Sequence, residues 1–88
     1  MNKQSSERFN ELIEYIENNI CEEIDYKKLS QILGVNEYTM HRIFLFATNY
    51  TVAEYIRKRR LSLSTLDLLE KKEKILERLN NFFLKYYD

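Results

Sequence analysis

The chain has 88 residues, 44% of them hydrophobic and 32% charged, and its 14 basic and 14 acidic residues leave no net charge. These proportions indicate one folded domain and exclude a disordered chain. No apolar run reaches the roughly 18 residues of a membrane span, and the start lacks the apolar core of a secretory signal. We therefore expect a cytoplasmic protein that does not enter a membrane. One glycine and no proline predict an all-α fold.

Charge is unevenly distributed along the chain. Residues 1–25 carry seven acids and two bases, residues 26–60 carry seven bases and two acids, and residues 61–88 carry five of each. The basic middle third, with its run Arg57 to Arg60, suits a polyanionic partner, although a solvated helix face would explain the same run. Arg59 and Arg60 are alternatively ion-pair partners for Glu54 or for the acidic first helix.

A first helix is predicted from about residue 7 to residue 20. Its apolar residues recur at helical spacing and leave the acids on the opposite face: Phe9, Leu12, Ile13, Ile16 and Ile20. The one cysteine, Cys21, closely follows this stripe, so we expect it to be a small buried residue. Without a second cysteine it forms no internal disulfide.

Capping residues predict the next two helices. Asp25 suits the N-cap of a second helix, and Gly34 suits its end because glycine adopts positive φ without steric cost. Asn36 suits the N-cap of a third helix over residues 36–47, which ends before Asn49. The residues expected inward are Leu29, Ile32 and Leu33 in the second helix and Met40, Ile43, Phe44 and Ala47 in the third.

A capping box, Thr51 with Glu54, predicts the start of a fourth helix, and no breaker follows it. We expect a long linker-type helix over 51–69 and an amphipathic tail over 70–88. These segments follow a three-helix unit at 7–50, all within a single domain, 1–88.

The second and third predicted helices have helix-turn-helix spacing. Small Ser30 stands where two helices would cross closely, and Gly34 follows four residues later where the chain must reverse. This spacing predicts a homeodomain-like three-helix unit whose third helix can enter a DNA major groove. An ordinary three-helix packing unit is the alternative.

A longer pattern spreads over residues 15–69. Its elements, in order, are Tyr15-Ile16-Glu17, Asp25 through Gly34, Met40, Arg42, Phe44, Thr48-Asn49, Glu54-Tyr55 and Arg60-Leu61. The run resembles the first half of the DNA-binding domain of the AraC/XylS family of bacterial transcription regulators. That resemblance implies one helix-turn-helix unit with a linker helix. Residues 70–88 contain no glycine and do not resemble the family's second unit, and no effector-binding domain is present in the 88 residues.

Two routes select the same candidate DNA-reading residues. At about 100° per residue, the face opposite the buried stripe of the third helix carries Tyr38, His41 and Arg42, and the resemblance places base-reading side chains at the same positions. Arg42 suits guanine, Tyr38 a thymine methyl or a phosphate, and His41 an acceptor on a base edge. Candidate phosphate contacts are Lys27, Lys28, Thr39, Arg57 and Lys58.

The third helix closes on two apolar residues, Leu45 and Phe46, where the AraC/XylS family commonly has lysines. Exposed together they resemble a contact patch, which the aromatic tail of the same chain or a partner can cover. Candidate contacts for a homodimer or partner protein are therefore Leu45, Phe46, Leu79, Phe82, Phe83 and Tyr86. A weak heptad pattern is formed by Leu61, Leu68, Ile75 and Phe82. It is compatible with two arrangements of the tail, a coiled coil with a partner or a hairpin that folds back onto the core.

These patterns favour a sequence-specific transcription regulator that binds double-stranded DNA with helix 36–47, truncated to one helix-turn-helix. The alternative is an interaction module, a diverged remnant that binds itself or another regulator without reading DNA. An enzyme is not expected, because the sequence has no glycine-rich phosphate loop and no nucleophile with a base. One histidine and one cysteine also predict no metal and no cofactor.

Overall fold

The computed structural model describes residues 5–63 and 65–86, and the side chains of all of these except Ser5 and Tyr86. This part of the chain forms five helices and no strand, which confirms the all-α prediction. The helices are α1 (Ser5–Asn18), α2 (Tyr26–Leu33), α3 (Glu37–Thr48), α4 (Val52–Ser62) and α5 (Thr65–Tyr86).

One hydrophobic core lies between the helices, with α1 at its centre. The predicted stripe of α1 is buried, and α2, α3 and α5 pack against this helix or against one another. Burial of apolar surface supplies most of the stability of such an arrangement. The largest fully buried side chains are Tyr55, Phe9, Phe44, Leu12, Ile13, Ile16, Leu29, Met40, Leu79 and Val52.

The helix ends follow the predicted capping residues. The side chain of Asp25 accepts a hydrogen bond from the Lys27 amide, and that of Asn36 accepts one from the Thr39 amide. Asn49 ends α3 in the left-handed conformation, with φ 68°. These contacts satisfy backbone groups that a helix terminus otherwise leaves without partners.

Cys21 is exposed, so the prediction that it is buried was wrong. The reason is that α1 ends at Asn18, and Cys21 lies in the following turn, where helical periodicity no longer applies.

The chain bends sharply where a continuous linker-type helix was expected. Helix α4 ends at Ser62, seven residues before the predicted end at 69, and Leu63 is left-handed with φ 54°. The buried residues of α4 and the inward residues of α5 would lie about 160° apart on one continuous helix, so both sets reach one core only if the chain turns. These residues are Val52, Tyr55, Ile56 and Arg59 in α4, and Leu68, Ile75, Leu79 and Phe82 in α5, of which Phe82 packs on Phe46.

Helix α5 therefore folds back onto α1 and α3, which decides between the two predicted arrangements of the tail. Ile75 and Leu79 are buried in the chain's own core. The predicted heptad seam consequently contains residues that face inward, and within the described residues it is not a free coiled-coil surface.

Two arginines of the basic run hold α4 in place. Arg59 is buried and makes a bidentate ion pair with Glu17 of α1, at 2.7 and 2.9 Å. Arg60 donates to the backbone carbonyls of Ile20 and Glu22, each at 2.7 Å. The alternative reading of these two residues, as partners of the first-helix region, is the one that the structure supports.

Candidate nucleic-acid interface

The turn before α3 is built on Gly34. Its φ is 75°, and its amide donates to the carbonyls of Ser30 and Gln31 while the Val35 amide donates to Ser30 at 3.1 Å. This is a Schellman motif, which ends α2 and reverses the chain within three residues. Because Asn36 then caps α3, the direction of α3 is fixed at its first residue.

Two of the three predicted base-reading residues stand free on the outer face of α3. Tyr38 is 70% exposed, and Arg42 is also exposed. The Arg42 guanidinium carbon lies 5.7 Å from the centre of the Tyr38 ring, a cation–π distance that holds the two side chains together. The outer face therefore presents one planar cation beside one aromatic ring.

His41 lies at the side of this face. It is half-buried, and its ring meets the Tyr26 ring edge-on, with centroids 5.2 Å apart. Tyr26 is the first residue of α2, so the contact joins the start of α2 to the middle of α3. His41 is thus less accessible than Tyr38 and Arg42. The spacing of the sequence did not reveal Tyr26 as its neighbour.

The predicted phosphate contacts fall into three places. Lys27 and Lys28 are exposed on the first turn of α2, and Arg57 and Lys58 are exposed on α4. The Lys58 ammonium lies 5.1 Å from the centre of the Tyr50 ring, just beyond the end of α3. Thr39 is half-buried, and its backbone amide is already bonded to the Asn36 side chain.

Helix α5 runs along one flank of α3. Arg78 donates to the Phe46 carbonyl at 2.9 Å and to the Asn49 side-chain oxygen at 3.2 Å. The Phe82 and Phe46 rings pack with centroids 4.5 Å apart. A groove of about 460 Å³ remains between the two helices, and Arg42 and Leu45 are among its lining residues.

The predicted partner contacts do not form one exposed surface. Leu79 is 1% exposed, because the fold-back of α5 places it in the core, so it is not available to a partner in this conformation. Phe82 and Phe83 are half-buried against the chain itself, whereas Leu45 and Phe46 remain 48% and 41% exposed. The side chain of Tyr86 lies outside the described residues.

Arg78 is the contact on this flank that sequence reasoning missed. It supplies donors to the carboxyl end of α3, where carbonyl groups lack intrahelical partners and the helix dipole favours a cation. In the sequence it is one of five bases balanced by five acids in residues 61–88, and nothing in its spacing distinguishes it.

Residues 5–63 and 65–86 contain no group of three or more His, Cys, Asp or Glu side chains that could hold a metal ion. In the same residues no helix is both long enough and apolar enough to cross a bilayer.

Comparison with curated proteins finds a similar bacterial regulator. The chain is 33% identical over 57 residues to the regulatory protein SoxS of Salmonella typhimurium, a match that covers 65% of this chain and 53% of SoxS. The chain thus spans about half the length of the curated relative it matches. The similarity supports a relation to the AraC/XylS family. No protein-family model matches the chain, and neither does any solved structure.

Proposed function

We propose that the protein is a sequence-specific, cytoplasmic DNA-binding regulator of transcription, and that it corresponds to the first helix-turn-helix half of an AraC/XylS DNA-binding domain. Helices α2 and α3 form the helix-turn-helix, and α3 lies in the major groove of double-stranded DNA. The observation that carries the proposal is the open outer face of α3, with Tyr38 and Arg42 side by side. The similarity to a regulatory protein supports the same function.

Each residue has a role that follows from its chemistry. Arg42 reads guanine, because its fork of N–H groups matches the O6 and N7 acceptors. Tyr38 packs on a thymine methyl or bonds a phosphate, and His41 contributes from the side of the face. Lys27 and Lys28 neutralise phosphates next to the start of α2, which positions the protein without reading sequence.

The cations of α4 extend this footprint. Arg59 and Arg60 bond Glu17, Ile20 and Glu22, whereas Arg57 and Lys58 are exposed on α4 with their charge toward solvent. With one reading helix and no net charge, a single chain binds weakly, near the non-specific range of about 10⁻⁴–10⁻⁶ M.

The test begins with selection of sites from a random pool of double-stranded DNA. We expect one enriched motif, and Arg42→Ala should weaken binding to it by about 1–3 kcal/mol, or roughly 5- to 150-fold. Arg42→Lys keeps the charge without the planar fork, so it should retain salt-dependent binding while losing preference at one base pair.

The matched control is Lys72→Ala. Lys72 lies on α5 and faces α1, with its ammonium 3.7 Å from a Glu14 carboxylate oxygen, so its removal takes away the same charge far from the proposed interface. Equal loss of binding from Lys72→Ala and Arg42→Ala would show that only total charge matters, and would contradict base reading by α3.

One observation favours a second candidate function, a protein-interaction module. Leu45 and Phe46 occupy the outer part of α3 with much of their side chains exposed, where cations would serve DNA binding better. If the selection enriches no motif while the protein associates with itself or with another regulator, the interaction module is the correct function.

A further inference from the structure

The junction between α4 and α5 combines a short connection with a strained residue. Only two residues separate Ser62, the end of α4, from Thr65, the start of α5. Leu63 has φ 54° and ψ 17°, a left-handed conformation that brings the β-carbon of an L-residue too close to its own backbone. Glycine would adopt this conformation freely, yet the chain has leucine here.

The turn also leaves apolar side chains in water. Leu61 is 84% exposed and Leu66 is 77% exposed, and Leu63 itself is more than half exposed. The bend is therefore not held by packing of its own residues. It is held by the hydrogen bond that the Ser62 hydroxyl donates to the Asp67 carboxylate, and by α5 further along, where Ile75 and Leu79 are buried and Arg78 bonds the end of α3.

Local preference in this region points to one straight helix. Residues 52–86 contain neither glycine nor proline, and every residue in them is compatible with a helix. On a straight helix, however, the buried face of α4 and the buried face of α5 would point about 160° away from each other. One copy of the chain cannot bury both faces, but two copies can.

We propose that two copies of this chain exchange their α5 helices. In the exchanged dimer α4 and α5 run as one helix, and each α5 packs on α1 and α3 of the other copy. The contacts of α5 with α1 and α3 are made again between copies, including the Phe46–Phe82 ring pair and the two Arg78 hydrogen bonds, whereas the Ser62–Asp67 hydrogen bond across the bend is lost. The exchange also removes the backbone strain at Leu63 in both copies. A short strained hinge is a feature that favours such exchange.

Three of the leucines that are exposed in the monomer, Leu61, Leu69 and Leu76, gain a role in this dimer. On a straight helix Leu61, Leu69 and Leu76 fall within an arc of about 80°, so they form one stripe where the two long helices pass each other. The dimer also carries two α3 helices. That consequence for DNA binding rests on the proposed function, whereas the exchange itself does not.

The exchange is tested by cross-linking between copies, without DNA. Cys21 is exposed and is first replaced, as Cys21→Ser, in all chains. Chains with Phe46→Cys are unfolded and refolded together with chains carrying Phe82→Cys, over a series of concentrations, and treated with a short bis-maleimide. We expect the mixed covalent pair to exceed both like pairs, and its yield to rise with concentration.

Two outcomes would overturn the exchange. The first is a wild-type chain that sediments as a monomer over the whole concentration series. The second is a dimer in which identical positions cross-link as efficiently as the mixed pair, because such a dimer joins intact copies through their surfaces. Circular dichroism of each variant confirms that it has folded.

A second pair of variants leaves the α3–α5 contact untouched. Leu63→Gly removes the strain from the bent monomer and weakens the straight helix, so the association constant should fall by roughly 30-fold or more. Leu63→Ala removes the same side chain but keeps the strain, so its association constant should match or exceed that of the wild type. Equal association constants for the two variants would contradict a hinge at residue 63.

Discussion

The direction of α3 depends on one residue, Gly34. Its positive φ lets the chain reverse between α2 and α3, and no other residue in the turn carries this requirement. A β-carbon at this position would lie 2.7 Å from a terminal nitrogen of Arg8, which is the far end of a flexible side chain and can move aside. The main cost of any substitution is therefore conformational.

We expect Gly34→Ala to lower the free energy of unfolding by about 1–2 kcal/mol, because alanine resists the left-handed region. Gly34→Asn is the matched control, since asparagine tolerates this region and should lose much less. Urea unfolding of the three proteins measures the difference. An alanine variant as stable as the wild type would show that the turn can reach α3 by another route.

At the scale of the element, the start of α4 is fixed by a reciprocal pair. The Thr51 side chain accepts from the Glu54 amide at 3.1 Å, and the Glu54 carboxylate accepts from the Thr51 amide at 2.9 Å. The pKa of Glu54 lies below its ordinary value of 4.5. The main cause is the hydrogen bond from the Thr51 backbone, and the next largest is that from the Thr51 side chain. The charged form is thus favoured in the folded protein.

This shift predicts a loss of stability in acid. The pKa of Glu54 is lower in the folded than in the unfolded chain. The stability that its charged form adds is therefore present at pH values above the ordinary pKa, and it is lost as the pH falls through the pKa of the folded protein. In Glu54→Gln the amide oxygen can keep the capping contact but does not titrate. Between about pH 7 and about pH 3, the urea midpoint should fall more for the wild type than for Glu54→Gln. Equal falls in both proteins would mean that the capping carboxylate adds no pH dependence.

Sequence reasoning located α1, α2 and α3 because each has its own local signals. Asp25, Gly34, Asn36 and Asn49 mark helix ends by capping chemistry that acts over a few residues. The bend at Leu63 has no such signal. It results from the phase difference between two apolar stripes, which matters only once both must reach one core. The burial of Leu79 follows from that bend and could not be predicted before it.

On the outer face of α3, too, local spacing predicted some features, whereas contacts from other helices were not predicted. Helical periodicity and the family resemblance both predicted Tyr38 and Arg42 for the outer face, and both side chains are exposed. His41 shares their periodicity, but its partner Tyr26 comes from another helix. The Arg78 bond to Phe46 spans 32 residues, and only the fold-back of α5 brings those residues together.

For the whole molecule, the distribution of charge matters more than its sum. Arg59 pairs with Glu17 of α1, so part of the basic run is neutralised within the fold. The cations left for DNA lie on α2, α3 and α4. A protein of zero net charge can therefore approach a polyanion with one side, although its affinity will depend strongly on salt.

The salt dependence of DNA binding reports how many phosphates these cations contact. Four contacts, from Lys27, Lys28, Arg57 and Lys58, predict that the logarithm of the binding constant falls with the logarithm of salt concentration with a slope of about −3.6. Lys28→Ala should reduce the steepness by about 1 and weaken all DNA sequences alike, because a phosphate contact carries no base preference. Lys72→Ala, which removes a cation that faces α1, should leave the slope unchanged. Fluorescence anisotropy with labelled duplexes at several salt concentrations measures these slopes. If Lys28→Ala and Lys72→Ala change the slope equally, the phosphate contacts are not confined to the α2–α4 side, and the footprint proposed for this molecule is wrong.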